Sequence, residues 1–240
     1  MPEKHKMRIS EILQETPSIM AFRFVPASGK LFEYAAGQFA ILNIPDFADK
    51  GNVHRRSYSI ASSPMNREYI ELCIAISDTG TTGPILKAAK AGDVFEMEGP
   101  FGKFLFDTEA KSHNFLVGSG SGIAPLIGML RTIVVKKLAS KTEKTTLIYG
   151  FRRDEDFAYG KELLSYKSPC IDILPVASTP SPDWKFSSGH VQDVIRALPT
   201  ESFKGSSWYL CGPPDMVRDV QSLLLEKGVP QEKIKKEIYG

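Results

Sequence analysis

Residues 114–134, NFLVGSGSGIAPLIGMLRTIV, divide the chain into two rhythms. FLVG reads as a short buried strand. Gly118, Gly120 and Gly122 then make a turn, and Leu126, Met129, Leu130, Ile133 and Val134 recur at helical spacing. Pro125 suits the first turn of that helix, where its missing N–H leaves no bond unmade. Downstream, strand and helix patterns alternate: TTLIYG (145–150), KELLSY (161–166), IDILPVAS (171–178), VQDVIRAL (191–198), WYLCG (208–212), MVRDVQSLLLEKG (216–228) and an extended KIKKEIYG (233–240). Such alternation predicts βαβ units and a parallel sheet. Upstream there are only short alternating runs: RISEI (8–12), MAFRF (20–24), GQFAILNI (37–44), YIELCIAI (69–76) and DVFEMEG (93–99). Gly, Pro, Asn and Asp punctuate them as in a small antiparallel barrel. The polar stretch DTEAKSH, residues 107–113, is the natural seam, which puts a β domain at 1–108 and an α/β domain at 113–240.

The bulk composition supports two domains and narrows the chemistry. At 240 residues, with 42% apolar and 10% aromatic residues, each half can bury a core. A net charge of +2 lacks the dense basic face of a nucleic-acid binder. No apolar run approaches the roughly 20 residues of a membrane span. The amino terminus MPEKHKMR has no signal-peptide core, so the expected location is the cytoplasm. Cys73, Cys170 and Cys211 are too few for a four-thiolate cluster, and His5, His54, His113 and His190 show no metal-ligand spacing. No metal is expected, and any redox agent must be organic.

Two further stretches ask for a ligand. Residues 55–64, RRSYSIASSP, set a guanidinium, an aromatic face and hydroxyls within four residues of one another. A buried strand would prefer aliphatics there, and a solvent loop would hardly carry Tyr58 and Ile60. Phosphate suits the arginine, a flat ring suits the tyrosine, and a polar ring edge suits the serines. Ligands in open α/β sheets bind beyond the carboxyl ends of the strands. There the glycine turn could admit a pyrophosphate to a helix amino terminus, or could simply be a tight turn. Cys211-Gly212-Pro213-Pro214 ends the last helix-linked strand. Cys211 is there either a small hydrophobe or a soft wall beside a ligand. The ordinary dinucleotide fingerprint would have glycine in place of Pro125 and an acid where Gly150-Phe151-Arg152 stands, so a standard NAD dehydrogenase is not expected.

Arg56-x-Tyr58-Ser59-x-x-Ser62, Gly120-x-Gly122-x-x-Pro125 and Cys211-Gly212-x-Pro214, in this order, resemble the ferredoxin–NADP reductase-like flavoprotein superfamily over nearly the whole chain. Gly37-Gln38-Phe39, Gly99-Pro100-Phe101-Gly102 and Glu237-Ile238-Tyr239 are similar too. The resemblance implies an FAD-binding barrel followed by a Rossmann-like NAD(P)-binding domain. It implies FAD held by Arg56, Ser57, Tyr58 and Ser59, with Ile74 and the Gly80-Thr81-Thr82-Gly83 loop. Arg56 would take the flavin pyrophosphate, Tyr58 would stack on the ring, and Ser59 would lie near N5. The nicotinamide nucleotide would lie over Gly120 and Gly122, with Pro125 opening the helix and Cys211, Gly212 and Pro213 on the nicotinamide side. Ser59, Cys211 and Glu237 would form the catalytic group. Tyr239 would cover the other flavin face, or be a core aromatic.

Departures from the family pattern qualify these expectations. Gly83 stands where many relatives carry a hydroxyl, though Thr81 and Thr82 are near, and Gly240 follows Tyr239 at the terminus. Ala177-Ser178-Thr179-Pro180 lacks the arginine that plant-type relatives use for a 2′-phosphate. Arg152, Arg153 or Lys185 would have to substitute, so NADH is favoured over NADPH. The expected function is hydride transfer from NAD(P)H to FAD N5, then electron transfer to an external acceptor: a ferredoxin, flavodoxin, cytochrome, oxygenase component or small molecule. The rivals are a flavin reductase using flavin as substrate and a non-catalytic nucleotide-binding regulatory subunit.

Overall fold

Six antiparallel strands build the first sheet of the computed structural model, which describes residues 3–46, 49, 51–109, 112–136, 144–166 and 168–239. They are β1 (Lys4–Thr16), β2 (Ile19–Pro26), β3 (Phe39–Pro45), β4 (Val53–Ser59), β5 (Ile70–Ala75) and β6 (Val94–Phe101), in the spatial order β4-β3-β6-β1-β2-β5. The edges meet where Ile60 bridges Leu72 and the Ala61 N–H donates to the Glu71 carbonyl at 2.8 Å, which closes the sheet into a barrel. Alternate side chains such as Ile9, Phe22, Phe24, Leu42, Ile70, Leu72 and Met97 fill its interior. Leu86 of a short helix, α1 (Thr82–Ala88), is buried among them.

The second sheet is wholly parallel. Strands β7 (Asn114–Ser119), β8 (Thr145–Phe151), β9 (Ile171–Ala177), β10 (Ser187–Ser188), β11 (Ser207–Gly212) and β12 (Ile234–Ile238) take the order β10-β9-β8-β7-β11-β12. Helices α2 (Ile123–Val135), α3 (Gly160–Ser165), α4 (Val191–Arg196) and α5 (Pro214–Glu226) connect them. The chain leaves β7 first toward β8 and later returns to β11 on its other side. The strand order therefore reverses at β7, which puts the ligand crevice at its carboxyl end.

All five expected strand runs of the first half are present, with β1 much longer than RISEI. The stretch RRSYSIASSP supplies the sixth as the edge strand β4. Arg55, Arg56 and Ser57 can be exposed there because an edge faces solvent. Helix α1 was not legible in the sequence: Gly83 and Pro84 occupy its first turn and mask any apolar period. Within the expected seam at 107–113, residues 110 and 111 lie outside the described residues.

The halves share one apolar cluster. Ala36, Ala61, Cys73, Phe104 and Phe106 of the barrel pack with Ile123, Ile127, Leu130 and Tyr159. Helix α2 approaches so closely that a Cβ on Gly128 would lie 2.8 Å from the Ile60 carbonyl oxygen.

Candidate active site

Ser59 ends β4, and Glu237 lies near the end of β12, 178 residues away. The Ser59 hydroxyl donates to Glu237 Oε2 at 2.8 Å and accepts from the Tyr239 hydroxyl at 2.7 Å. The Tyr239 hydroxyl also lies close to the Glu237 carboxyl and the Cys211 thiol. Register explains the meeting: β12 runs parallel to β11 with Glu237 opposite Cys211, and the Tyr239 N–H donates to the Gly212 carbonyl at 3.2 Å. Ser59, Cys211, Glu237 and Tyr239 thus form one polar chain across the meeting line of the halves. The Tyr239 ring packs on the shared cluster, as a core aromatic would, while its hydroxyl reaches Ser59. Gly240 lies outside the described residues.

Burial sets the protonation of this group. It pushes the Cys211 thiol well above its ordinary range, so the thiol stays protonated and is a poor nucleophile. Burial also raises the Glu237 carboxyl, while the bonds from Ser59 and Tyr239 pull the other way.

The glycine turn lies at the carboxyl end of β7, as the switch point requires. Its two key glycines do different work. A Cβ on Gly122 would lie 2.1 Å from the Cys211 carbonyl oxygen, so Gly122 lets the turn pack against β11. Gly120 has φ +56° and nothing within 4 Å of where a Cβ would stand, so it faces open space. The Tyr149 hydroxyl pins the turn by donating to the Gly120 carbonyl at 3.0 Å. Pro125 sits buried in the first turn of α2, and Pro213 caps α5.

That open space belongs to a cavity of about 710 Å³, lined by Ser119, Gly120, Gly150, Phe151, Arg152 and Ser178 and by the starts of α4 and α5. The volume falls within the usual ligand-pocket range of about 300–1,000 Å³. Arg152 is on its wall and pairs with no carboxylate among the described residues. Arg153 instead reaches Glu155 at 3.4 Å, and Lys185 is not among the lining residues. Sequence reasoning missed Thr16 and Ser18, which line the cavity from the tip of the β1–β2 hairpin. Thr16-Pro17-Ser18 signals only a turn, and nothing local shows what the turn faces.

On the barrel, Arg56 and Ser57 are exposed. Among the described residues the Arg56 guanidinium bonds only to the neighbouring Arg55 carbonyl, at 3.0 Å, which leaves its other donors for an anion. The half-buried Tyr58 hydroxyl lies close to Thr82, so the Gly80–Gly83 segment sits beside β4. Gly80 has φ +91° with nothing near a would-be Cβ, whereas a Cβ on Gly83 would meet the Ser77 carbonyl oxygen at 1.9 Å. Packing therefore excludes a side chain at residue 83, and Thr82 supplies the nearby hydroxyl. Ile74 is only 1% exposed, with its side chain in the barrel core. An anion-ready arginine, an aromatic face and an open glycine loop beside one strand fit a flavin nucleotide. An open Gly120 over a cavity at a helix start fits a pyrophosphate-bearing one.

Among the described residues no cluster of His, Cys, Asp or Glu could hold a metal ion. None of their helices is long and apolar enough to cross a membrane.

Comparison with known proteins agrees with this geometry. Residues 6–106 match the oxidoreductase FAD-binding domain family, and residues 116–222 the oxidoreductase NAD-binding domain family. Ferredoxin–NADP reductase B of Sorangium cellulosum is 29% identical over 99% of this chain and 98% of its own length. The propane 2-monooxygenase reductase component of Rhodococcus jostii is 27% identical over 95% of this chain but only 62% of its own length. The phenol 2-monooxygenase reductase component of a Pseudomonas species, 28% identical, is likewise covered over 62% of its length. The chain thus spans about three fifths of the monooxygenase reductase components it matches. The fold is that of the flavohaem-like FAD/NAD-binding domain of a Vibrio cholerae nitric oxide dioxygenase, with TM-score 0.88, 21% identity and 98% coverage of both chains. It is also that of a Neisseria gonorrhoeae ferredoxin–NADP+ reductase solved with FAD and NADP, with TM-score 0.81, 18% identity and coverage of 100% and 99%. The chain belongs to the ferredoxin–NADP reductase-like flavoprotein superfamily, its first half an oxidoreductase FAD-binding domain and its second an oxidoreductase NAD-binding domain.

Proposed function

We propose that this chain passes electrons from NADH, through FAD, to an external redox protein of the ferredoxin, flavodoxin, cytochrome or oxygenase-component class. When bound, FAD supplies the coupling of a two-electron hydride donor to acceptors that take electrons singly. The residues of this chain supply binding, orientation and proton placement. Arg56 holds the flavin pyrophosphate through charge-assisted bonds. Tyr58 lies against the flavin ring, and the Gly80–Gly83 loop, with the Thr81 and Thr82 hydroxyls, admits the phosphates closely. Gly120 admits the pyrophosphate of the nicotinamide nucleotide, and Arg152 faces its adenosine end. Tyr239 lies beside Cys211, and its ring would have to leave that place to admit a nicotinamide. Ser59, hydrogen-bonded to Glu237, would present its hydroxyl to the edge of a flavin held by the barrel.

The observation that carries this reading is the four-residue chain Glu237–Ser59–Tyr239–Cys211. It joins the carboxyl end of β4 in the barrel to the carboxyl ends of β11 and β12, which supports a meeting of the two cofactors there. Relatives named as reductase components and as a ferredoxin–NADP reductase support the external acceptor. A visible spectrum under nitrogen tests the proposal. The purified protein should be yellow and should bleach on adding NADH; a colourless preparation that FAD cannot reconstitute would overturn it.

The side-chain-free position 83 favours one second reading, in which FAD binds loosely and serves as a substrate. FAD lost on gel filtration, with turnover restored by free flavin, would select it.

A further inference from the structure

We propose that Arg131 is a positioning residue for hydride transfer: its guanidinium rivets α2 to the barrel and so sets the distance from the glycine turn to Ser59. The inference rests on the reading of Ser59 as the flavin side and the glycine turn as the nucleotide side. Helix α2 starts at that turn, and Arg131 lies about two turns along it. Its Nη1 donates to the Ala61 carbonyl at 3.0 Å and to Glu71 Oε1 at 2.7 Å. Its Nε and Nη2 fork onto Glu162 of α3 at 2.8 and 2.6 Å. Ala61 is two residues beyond Ser59, so the guanidinium holds the backbone that carries the proposed flavin-side hydroxyl.

The partners are themselves fixed. Glu71 is fully buried and also accepts from Arg23 Nε at 2.9 Å and from the Tyr159 hydroxyl at 3.0 Å. One turn before Arg131, Gly128 abuts the Ile60–Ser62 carbonyls, and the adjacent Thr132 hydroxyl pairs with Ser63 Oγ at 3.0 Å. The apolar cluster that joins the halves is non-directional and would tolerate a small slide or roll of α2. The planar five-donor fork of Arg131 tolerates neither. Hydride transfer needs the reacting atoms within about 3–3.5 Å, and a misplacement near 1 Å can cost on the order of 100-fold.

The test uses the FAD-loaded enzyme with Arg131→Gln, Arg131→Lys and Glu162→Gln. Flavin content, anaerobic reduction by NADH, reduction by dithionite and amide hydrogen exchange are measured on each. Arg131→Gln is expected to slow reduction by NADH roughly 10- to 100-fold at saturating nucleotide with KM little changed. Dithionite reduction and flavin content should stay at the wild-type level. Exchange should rise at residues 60–63 and 128–132 and stay unchanged elsewhere. Arg131→Lys should recover part of the rate. Where Arg131→Gln does not fold, Arg131→Lys carries the test, since it keeps the charge but loses the fork, while Glu162→Gln, which leaves the Ala61 and Glu71 bonds in place, should keep a rate near wild type. An unchanged reduction rate beside a lowered melting temperature would overturn the proposal, as would exchange rising throughout the protein. Failure of NADH to bleach the wild type would instead sink the functional reading, and the exchange measurement would still report on the rivet.

Discussion

Glu237 sits where its charged form is least comfortable, and that has a consequence for stability. Burial raises its carboxyl pKa above 4.5. Between the ordinary and the raised value the folded chain holds a proton that the unfolded chain releases. Stability from this group is therefore complete below the ordinary glutamate pKa and is lost as pH rises through the folded one. Glu237→Gln in the flavin-free protein should flatten that fall and raise the melting temperature at neutral pH. A pH profile identical to wild type would contradict the assignment. For Arg56→Ala, losing a hydrogen bond to a charged group costs about 1.5–3 kcal/mol, which weakens FAD roughly 10- to 150-fold. The purified variant should be largely flavin-free, and full occupancy after gel filtration would count against the role. Cys211→Ala should slow flavin reduction without altering the bound-flavin spectrum, because a buried, protonated thiol acts there as a wall and a hydrogen-bond partner. Unchanged reduction kinetics would remove Cys211 from the nicotinamide side.

At the scale of elements, the turn between β7 and α2 separates packing from binding. Gly122→Ala drives a Cβ into the Cys211 carbonyl, so the turn and β11 must part. A large drop in melting temperature, or insoluble protein, is expected. Gly120→Ala meets no atom and carries only the left-handed backbone cost of about 1–2 kcal/mol. It should fold and keep FAD while raising KM for the nicotinamide nucleotide, and an unaltered KM would show that the nucleotide does not cross this turn. The first turn of α1 follows the same logic. Gly83→Ser would add a hydroxyl beside Thr82, yet its Cβ would stand 1.9 Å from the Ser77 carbonyl oxygen. It should destabilise the barrel rather than tighten FAD, as paired melting and flavin-binding measurements would show.

Across the whole molecule, an ionic network and an apolar cluster together join the halves. In Arg131, burial works against the charged form, but the bonds to Glu162 and the nearby Glu71 outweigh it and hold the guanidinium charged. Removing one member of a buried pair typically costs about 3–5 kcal/mol, moderated here because Arg23 and Tyr159 remain on Glu71. The nucleotide cavity has a different balance. Arg152 is the single Arg or Lys among its described lining residues, which include Asp156, Asp219 and an Asp215 paired with Arg218. A 2′-phosphate would enter a field with more carboxylates than cations, so kcat/KM should favour NADH over NADPH. A preference for NADPH would refute this reading of the cavity.

The sequence by itself determined the order of the fold: short alternating runs before residue 107, strand–helix alternation after 113, and glycine- and proline-marked turns at the strand ends. These features are local, set by side-chain period and by Gly and Pro chemistry, and so they survive without tertiary information. The residue types of the candidate site were legible for the same reason, because Arg56, Tyr58, Gly120 and Cys211 stand in short motifs. Only the tertiary structure decided that Ser59 bonds Glu237 and Tyr239 across nearly 180 residues, that Gly83 is required by the Ser77 carbonyl, and that Thr16 and Ser18 wall the cavity. The rivet at Arg131 was equally silent in sequence, where that residue is one arginine on a helix. Such contacts depend on how two separately patterned sheets pack, and packing joins positions whose spacing along the chain carries no period.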